Sequence, residues 1–440
     1  MHKNENRPGY KNSKVGWIPD GWGFGRIGDF FEVTSGSTPA RKQHDEYFLN
    51  GNIDWVKTTD LNNSMLYKTS ERITERGLNE SSCKMLPINT VLVAMYGGFN
   101  QIGRTGLLKI DAACNQALSG ILPSKSYCPE FLLAWLNAQV QYWKNLSASS
   151  RKDPNITKND VTDFPLVIPP LPEQKAIAGV LECWDKGIRN LELKIEKKRL
   201  IKNGLMQRLL SGKQRLKGFT EAWKSVRLRD VFEFISSYAF SRECLTTEAI
   251  ENTDIYNIHY GDIHATYTGP TLDLSKERRV PMLKTGNPMA SMMEFLQDGD
   301  LVMADVSEDY EGIGTCIELK SLSDKRVTGG LHTFVMRDTS KQTAAGFRGY
   351  LFKEYRLSKE LKRIATGVSV YSLSKTNLSE VELNLPPLDD QKAIAGVLSA
   401  ADDEIEALEK KLALWKEQKK YLLNNLVTGT IRLPQFCVKA

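Results

Sequence analysis

The octapeptide QKAIAGVL occurs twice in the chain, at Gln174–Leu181 and at Gln391–Leu398, 217 positions apart. Each copy follows a Pro-Pro-Leu tripeptide and opens a long, highly charged stretch. A repeat with this separation indicates one structural unit that is used twice, and it constrains the fold before any local pattern is considered. We therefore expect a protein with two similar halves, of the kind that contacts a two-fold object.

Apolar residues in both charged stretches recur in steps that alternate between four and three, a mean of about 3.5 residues. With a few lysines included, the positions are Ile394, Leu398, Ala401, Ile405, Leu408, Leu412, Trp415, Lys419, Leu422 and Leu426 in the second stretch, and Ile177, Leu181, Trp184, Ile188, Leu191, Ile195, Lys198, Lys202, Leu205 and Leu209 in the first. This seam predicts two long helices that pack along each other. Each helix would run for roughly 38 residues, or about 57 Å at about 1.5 Å per residue.

The connection between the two helices predicts their orientation. In a parallel pair, residues 218–385 would have to return along the whole helix, whereas in an antiparallel pair a compact domain fits between the end of one helix and the start of the next. We predict an antiparallel coiled coil with one globular half near each end and a pseudo-two-fold axis between the halves. The predicted fold class is therefore α+β, with two globular α/β domains joined by two long helices.

The repeat extends weakly into the two globular halves. Three pairs of segments match: Trp22–Glu32 with Trp223–Glu233, Thr90–Met95 with Asp300–Asp305, and Ile156–Val161 with Leu373–Leu378. The second pair has the continuous apolar pattern of a buried strand. Between these segments the halves differ almost everywhere. The scaffold is repeated and its contents are not, which predicts that the two halves recognise different things.

The composition is that of a globular protein with two or three domains: of its 440 residues, 41% are apolar and 25% are charged. No apolar run reaches the length of a membrane span, and residues 1–14 lack the apolar core of a signal peptide, so we expect a mobile N-terminal tail. The seven cysteines include no Cys-x-x-Cys pair. We interpret them as reduced thiols in a cytoplasmic protein.

The order of these motifs resembles that of the specificity subunit of type I restriction–modification systems. Trp-x-x-x-Arg-[Ile/Leu]-x-Asp openings at Trp22 and Trp223 are each followed by a variable domain and a Pro-Pro-Leu-x-x-Gln-x-x-Ile-Ala helix entry. Members of that family carry two target-recognition domains, each of which reads one half of a split DNA sequence. The resemblance covers nearly the whole chain and implies target-recognition domains at 15–168 and 218–385, spacer helices at 169–217 and 386–434, and a tail at 435–440.

The same resemblance implies the ligand and the partner proteins. In that family the antiparallel coiled coil spaces the two domains and docks two adenine-methyltransferase subunits, and motor–nuclease subunits complete the restriction complex. Double-stranded DNA is the implied ligand. The chain itself would be non-catalytic and would bind no cofactor, since S-adenosylmethionine, ATP and Mg²⁺ are expected on the partner subunits.

Positive charge is concentrated in the first helical stretch. Residues 169–217 contain 12 lysines and arginines against 5 acids, whereas residues 386–434 contain 7 against 8. A charge run is most simply a solvated helix face. If the chain binds DNA, the alternative is that Lys197, Lys198 and Arg199 follow the phosphates between the two half-sites with salt-dependent affinity.

Three motifs imitate catalytic sites without the structural context that such sites need. Gly23–Gly28 spells GxGxxG, but a dinucleotide site must follow a strand and open a helix. Asp153–Ile156 lacks the second proline and the aromatic ring of an adenine-methyltransferase motif. Asp163 and Glu173 imitate a nuclease metal site, but the second copy has Asp390 at the place of Glu173, so an acid at a helix start is the simpler explanation. We predict no catalytic, nucleotide or metal site.

Direct readout of DNA needs Arg, Lys, Asn, Gln, Ser or Thr on loops that reach the base edges. The candidates in the first domain are Ser37, Thr38, Arg41, Lys42, Lys57, Thr59, Tyr96, Asn100, Gln101, Arg104, Arg151 and Lys152, and those in the second are Ser237, Tyr238, Ser241, Arg242, His259, Tyr260, Ser369 and Tyr371. Paired glycines make the loop Tyr96–Arg104 the best of these. Its counterpart Val306–Gly312 is acidic and either accepts from a cytosine amino group or repels phosphate and stays off the DNA. A solvated loop side chain is the alternative for each candidate.

Two other functions remain open on the sequence. One is a self-sufficient nuclease or methyltransferase, against which the missing cofactor and metal motifs count. The other is a stand-alone DNA-binding regulator or scaffold with the same duplicated architecture. Co-purification with a methyltransferase subunit would discriminate among the three.

Overall fold

The computed structural model describes residues 7–98, 100–148, 155–248, 255–267, 269–284 and 292–437. The chain separates into two compact units: unit 1 comprises residues 1–192 and 411–440, and unit 2 comprises residues 193–410. The boundary crosses both long helices, so each unit contains one globular half and one end of each helix. Across the ranges just given, no helix is both long enough and apolar enough to cross a membrane.

Unit 1 is a mixed α/β structure with short strands. Its strands are β1 (Tyr10–Ser13), β2 (Gly16–Pro19), β3 (Gly23–Arg26), β4 (Val33–Ser35), β5 (Ile53–Val56), β6 (Ser64–Leu66), β7 (Glu71–Ile73), β8 (Val91–Ala94), β9 (Thr105–Leu108), β10 (Ala113–Cys114), β11 (Leu118–Ile121) and β12 (Pro165–Ile168). Its helices are α1 (His44–Tyr47), α2 (Glu75–Asn79), α3 (Pro129–Ala138), α4 (Val140–Ala148) and α5 (Lys158–Thr162). The long helix α6 (Leu171–Leu210) begins in this unit.

The central sheet of unit 1 has the strand order β4-β11-β8-β9-β6, in which only the pair β6–β9 is parallel. Strands β8, β9 and β11 are buried along their whole length, as the apolar run at Thr90–Met95 predicts for β8. A second sheet has the order β10-β5-β7, and β3 pairs with β12. The core contains fully buried aromatic side chains, among them Trp143 and Phe164, whose rings stack with centroids 4.0 Å apart.

Unit 2 contains the second globular half. Its strands are β13 (Lys224–Arg227), β14 (Phe232–Ile235), β15 (Leu245–Thr246), β16 (Ile255–Ile258), β17 (Thr271–Asp273), β18 (Met282–Leu283), β19 (Leu301–Ala304), β20 (Val306–Ser307), β21 (Cys316–Lys320), β22 (Arg326–Gly329), β23 (Thr333–Asp338), β24 (Tyr371–Ser372) and β25 (Glu382–Leu385). Its helices are α7 (Tyr260–Ala265), α8 (Arg348–Leu351), α9 (Tyr355–Ile364) and α10 (Lys375–Ser379). The second long helix, α11 (Leu388–Leu426), begins here and ends in unit 1.

The central sheet of unit 2 matches that of unit 1 strand for strand. Its order is β14-β23-β19-β21-β17, and only β17–β21 is parallel. The ribbon β13–β25 corresponds to β3–β12, and both are antiparallel. The matched topology confirms the predicted repeat of the scaffold. Unit 2 adds the short pair β20–β24 beside the end of β19.

In unit 1 the start of α6 packs against the end of α11, and the two run antiparallel. The rings of Trp184 and Trp415 meet edge to face with centroids 5.9 Å apart. Asp185 pairs with Lys419, and Glu192, one step further along α6, pairs at 2.7 Å with Lys416, which lies earlier in α11. Moving forward along α6 therefore means moving backward along α11, which confirms the predicted antiparallel orientation.

Unit 2 shows the same orientation at the other ends of the helices. Arg199 pairs with Glu409 at 2.5 Å, and Lys202 pairs with Asp402. Every predicted seam position in both helices is buried or half-buried, which confirms the coiled-coil pattern. Acids of α11 pair with Lys198, Arg199 and Lys202 and so neutralise part of the positive charge of the basic stretch. The fold class predicted from the sequence is confirmed.

A buried acid near the start of each long helix joins helix and globular half. Glu173 accepts hydrogen bonds from Trp22 Nε1 (3.0 Å) and from Nε and Nη2 of Arg432 (2.9 and 2.8 Å), so both of its oxygens are engaged. We call this arrangement the helix-start clamp. In unit 2, Asp390 accepts from Trp223 Nε1 (3.2 Å) and from Arg215 Nη2 (2.8 Å) through one oxygen only. Each clamp uses the tryptophan that opens the repeated segment.

Residues of the repeated octapeptide make equivalent contacts in the two units. Gln174 Oε1 accepts from the backbone N–H of Cys128 (2.8 Å), and Gln391 Oε1 accepts from that of Ala344 (2.8 Å). Ile177 and Leu181 are buried against the core of unit 1, as the equivalent residues of α11 are in unit 2. Helix-start electrostatics is therefore an incomplete explanation of the repeated acid, because Glu173 is buried and pairs with a partner more than 250 residues away.

One boundary prediction is corrected. Residues 1–14 were expected to form a mobile tail, but β1 pairs with β2, and Tyr10 Oη donates to the carbonyl oxygen of Gly429 (2.7 Å). A strand and a hydrogen bond to the distant end of the chain hold residues from Tyr10 onward. Within the spacer segment 169–217 the helix α6 has 40 residues, close to the predicted length of roughly 38, and Gly212 follows its end with a φ of +70°.

Candidate nucleic-acid interface

The loop from Tyr96 to Arg104 in unit 1 joins β8 to β9 at one edge of the central sheet. Gly97, Gly98 and Gly103 have φ of +119°, +86° and +74°, a region that side chains disfavour. A Cβ on Gly103 would lie 2.6 Å from Trp143. The backbone N–H of Gly103 donates to the carbonyl oxygen of Ala94 (2.9 Å), which holds the base of the loop on β8. On either side of Phe99, the described backbone of the loop therefore has a conformation that favours glycine at these three positions.

The polar side chains of this loop are presented on a narrow turn. Tyr96 is 42% exposed and Asn100 is exposed. Arg104 Nε donates to the carbonyl oxygen of Asn100 (3.1 Å), and the backbone N–H of Gln101 donates to that of Gly98 (2.9 Å). The structure thus brings together Tyr96, Asn100, Gln101 and Arg104, four of the predicted readers. Phe99, which lies among them, is outside the described residues.

A second group of predicted readers surrounds the sheet β10-β5-β7, and two of its cations are already paired. Arg41 forms a double ion pair with Glu71 and lies over the Phe48 ring (4.2 Å), and Lys57 Nζ lies 3.0 Å from Glu71. The hydrogen bond from Arg41 lowers the pKa of Glu71 to about 2. Glu71 neutralises these cations locally, which disfavours phosphate contact by Arg41 and Lys57. This pairing was not visible in the sequence, because Glu71 lies on a different strand.

The other predicted readers of this group are small or exposed. The Thr38 hydroxyl donates to Gln116, and the backbone N–H of Ser37 donates to Cys114 (2.9 Å). Lys42 and Thr59 are exposed, and Thr59 lies in the 3₁₀ turn Thr58–Asp60. The structure places these four near Arg41 and Lys57 rather than in the loop Tyr96–Arg104. Arg151 and Lys152 lie outside the described residues.

Several predicted readers of unit 2 lie beside its four-stranded sheet, which has the order β15-β18-β16-β22. The backbone N–H of Tyr238 donates to Gly329 (2.7 Å), and its hydroxyl accepts from the N–H of Glu294 (2.8 Å). Ser237 forms a β-bridge with Gly329, and the Ser241 hydroxyl lies 3.3 Å from Cys244 Sγ. The backbone of Ser237 and the hydroxyls of Tyr238 and Ser241 are thus engaged within the protein, which leaves fewer polar groups free for a ligand.

Arg242 and the rings near Tyr260 form a second group in unit 2. Arg242 makes an ion pair with the buried Asp262 (3.2 Å) while most of its side chain remains exposed. The ring of Tyr260 lies 5.0 Å from that of His259, 6.4 Å from that of His264 and 5.4 Å from that of His332. Burial lowers the pKa of His259. Three of the five histidines of the chain thus surround one tyrosine.

The structure adds Asp305 and His332, which sequence reasoning missed. His332 Nδ1 lies 3.5 Å from Asp305 Oδ1, and the backbone N–H of Asp305 donates to the carbonyl oxygen of His332 (3.2 Å). Burial raises the pKa of the Asp305 carboxyl. The sequence did contain a signal for Asp305, because this carboxylate follows an apolar strand at the position that Met95 occupies in unit 1. The φ of +53° at His332, which brings the ring beside Tyr260, left no trace in the sequence.

The acidic loop Val306–Gly312 is a folded turn in unit 2. Asp309 accepts from the N–H of Gly312 (2.5 Å), and Glu311 pairs with Lys362 at 2.6 Å. Strand β20 at its start pairs with β24, so the loop lies beside the hairpin Thr366–Ser372. The ring of Tyr310 packs edge to face on Tyr371 at 5.2 Å. The predicted readers Ser369 and Tyr371 therefore belong to one surface with the acidic loop.

The chain matches the family described as "Type I restriction modification DNA specificity domain" over residues 19–199 and again over residues 220–414. Since the two matches cover most of its length, the chain belongs to this family. The family match and the matched sheets agree that the recognition unit occurs twice.

Individual relatives and solved structures extend over most of the chain. It is 23% identical to the type I restriction enzyme MjaVIII specificity subunit of Methanocaldococcus jannaschii over 436 residues, which is 94% of each chain. It resembles the S subunit structure from M. genitalium with a TM-score of 0.53 and 16% identity, covering 94% of this chain and 97% of that one. A structure that describes complex assembly and conformational transition of a type I system gives a TM-score of 0.60 at 17% identity, covering 94% and 99%. At these identities the solved structures bear on the fold alone.

Proposed function

We propose that the chain reads DNA sequence for a type I restriction–modification complex, with each globular half reading one part of an asymmetric, bipartite target. The observation that carries the proposal is that the two halves share one sheet topology but carry different loops at the same edge of the sheet. Membership of the DNA specificity family supports it. Because the loops differ, the two half-sites should differ as well.

The two halves offer different chemistry to base edges. In unit 1, Asn100 and Gln101 are suited to bidentate contacts with adenine, and Arg104 to guanine. In unit 2, the carboxylate of Glu308 is suited to accept from a cytosine amino group, and Ser369 to contact any base edge. The remaining polar contacts would go to phosphates and fix the register without reading sequence.

The long helices are proposed to set the distance between the half-sites and to dock two adenine-methyltransferase subunits. Apolar side chains on their surfaces support this role. In unit 2 these are Leu193, Leu200 and Ile201, which are 50%, 65% and 63% exposed, and in unit 1 they are Leu414 and Tyr421, which are 57% and 56% exposed. Exposed apolar side chains grouped on one helix are typical of a surface that a partner covers.

We further propose that the chain contributes no catalytic group. In that case the adenine-methyltransferase subunits carry S-adenosylmethionine, and the motor–nuclease subunits that complete the complex carry ATP and Mg²⁺. Double-stranded DNA is then the ligand that this chain itself contacts.

Co-expression with a cognate adenine-methyltransferase subunit tests the proposal. We expect a stable complex, and we expect long-read sequencing of the host DNA to reveal methylated adenines in one bipartite motif that is absent without this chain. Alanine at Leu200 and Ile201 should weaken the complex, whereas alanine at Ile88, an exposed isoleucine of unit 1 that belongs to neither long helix, should not. A chain that binds DNA but neither joins a methyltransferase nor directs methylation would instead be a stand-alone regulator or scaffold.

A further inference from the structure

The hairpin from Thr366 to Ser372 in unit 2 carries an apolar tip that no part of the described chain covers. Val368 is 92% exposed, the largest exposure of any large apolar side chain among the described residues, and Val370 is 53% exposed. The seven residues of the hairpin include no charged side chain. Single exposed apolar residues are ordinary on protein surfaces, so the case depends on how rigidly this one is held.

Backbone contacts hold the hairpin at both ends. The N–H of Thr366 donates to the carbonyl oxygen of Ser372 (2.9 Å), and the N–H of Ser372 donates back to Thr366 (2.8 Å). Gly367 has a φ of +123°, and a Cβ there would collide with the carbonyl oxygen of Val370. Pairing of β24 with β20 and the Tyr371–Tyr310 ring contact anchor the hairpin to the acidic loop. Val368 is therefore a stiff, β-branched side chain on a preorganised turn.

The equivalent segment of unit 1 indicates what this turn is for. The backbone N–H of Leu373, just after the hairpin, donates to the residue that follows β19 (Asp305, 2.8 Å). The N–H of Ile156 donates in the same way to the residue that follows β8 (Met95, 3.1 Å). The two segments thus enter at the same point of the same sheet. The sequence before Ile156 contains Arg151 and Lys152, where the hairpin has apolar and hydroxyl side chains.

We propose that Val368 determines specificity in the second half-site by apolar contact with the 5-methyl group of a thymine. The Val368 side chain can neither neutralise a phosphate nor donate a hydrogen bond to it, so its contact with DNA must be an apolar one with bases or sugars. Among base edges in the major groove, only thymine presents a methyl group, and apolar side chains are its usual partners. This inference rests on the proposed function, and it names the base feature that unit 2 reads.

Duplexes in which deoxyuridine replaces thymine test the proposal, because the exchange removes only the methyl group. The chain is used in complex with its methyltransferase subunits, and affinity is measured by fluorescence anisotropy on the motif found by methylation sequencing. At one thymine of the second half-site, deoxyuridine should weaken wild-type binding about fourfold, the value of one methyl-sized apolar contact. The Val368→Ala variant should bind the thymine duplex about as weakly and should no longer respond to deoxyuridine. Ile88→Ala, a control at an exposed site of unit 1, should behave as wild type.

Three results would overturn the proposal. One is wild-type binding that is indifferent to deoxyuridine at every thymine of that half-site, and another is a Val368→Ala variant that keeps the wild-type response. If Val368→Ala weakens every duplex equally, the side chain acts as a wedge between base steps or in protein contact, and the methyl contact is wrong. Each of these leaves a bipartite methylated motif intact, whereas failure of the proposed function would show as the absence of any such motif. Unfolding temperatures of the variants confirm that the mutated chains are folded.

Discussion

In unit 1 the loop between β8 and β9 has three glycines at positive φ, and the amide side chains of Asn100 and Gln101 lie between them in the sequence. In unit 2 the loop that leaves β19 contains a short strand, three carboxylates and an ion pair to Lys362. The strands that carry the two loops have the same order, directions and burial. The two halves therefore share the sheet that supports the loops, and they differ in the loop side chains that they expose.

The helix-start clamps give the same comparison inside the protein. Glu173 uses both oxygens and receives three hydrogen bonds, whereas Asp390 uses one oxygen. Within the described residues, Asp390 Oδ1 and Arg215 Nε have no hydrogen-bond partner. The two clamps are built from equivalent residues, but the clamp of Glu173 has more hydrogen bonds than that of Asp390. We therefore expect the clamp of Glu173 to contribute more to the free energy of unfolding.

The largest expected effect comes from breaking the clamps. Glu173→Gln removes a buried charge that Arg432 needs, and we expect it to lower the free energy of unfolding by about 3–5 kcal/mol. Asp390→Asn should cost less, because fewer hydrogen bonds are lost. Urea unfolding followed by tryptophan fluorescence measures both. Asp389→Asn is the matched control, since its side chain is 83% exposed, and equal losses for Glu173→Gln and this control would contradict the clamp.

Replacing one loop side chain in each unit sharpens the comparison of the two surfaces. Asn100→Ala should weaken DNA binding by about 1–3 kcal/mol and relax the sequence requirement in the first half-site only. Glu308→Gln should alter the second half-site only. Competition assays with duplexes mutated in one half-site at a time separate these outcomes. An equal loss on every sequence would mean that Asn100 contacts the DNA backbone instead.

Acid should act selectively on the pairing in unit 1 between Glu71, Arg41 and Lys57. The hydrogen bond from Arg41 lowers the pKa of Glu71 from 4.5 to about 2. Because the folded value lies below the ordinary one, this contribution is fully present above about pH 4.5 and is lost as the pH falls toward about 2. Glu71→Gln should therefore lower the unfolding temperature at neutral pH, and the gap to wild type should close over that range. A gap that stays constant with pH would contradict the pairing.

The smallest effect is expected for the charged helix surface in unit 2. Lys198 and Arg199 pair with Glu404 and Glu409, so the Lys198→Ala, Arg199→Ala variant should lose less than about 1 kcal/mol of stability per exposed pair. The salt dependence of DNA binding should not change. If the slope of log affinity against log salt fell by about 0.9 for each lost cation, phosphate contact by this helix would be supported after all.

Periodicity and repetition in the sequence were sufficient to predict the helices and the doubled scaffold. Seam residues such as Ile177 and Leu398 follow a local pattern that tertiary contacts do not override, and their burial follows from it. Helix direction followed from chain connectivity alone. The predicted helix length of roughly 38 residues was close to the observed 40 residues of α6 and 39 residues of α11.

The candidate site was less predictable because its residues come from distant strands. The sequence gives no sign that Arg41 and Lys57 are engaged, but in the structure both pair with Glu71. Asp305 meets His332 only through a backbone turn at positive φ, and the exposure of Val368 depends on a hairpin closed by long-range strand pairing. Residue type and loop position identify such candidates, but pairing between elements decides which of them remain free.

Exchange of one globular half tests the central claim most directly. Residues 218–385 are replaced by the equivalent segment of another family member, and the methylated motif is read by long-read sequencing of cells that contain the methyltransferase subunits. We expect one half of the bipartite motif to change to that of the donor, while the other half and the spacing between them stay the same. A change in both halves, or in neither, would contradict two independent readers on one repeated scaffold.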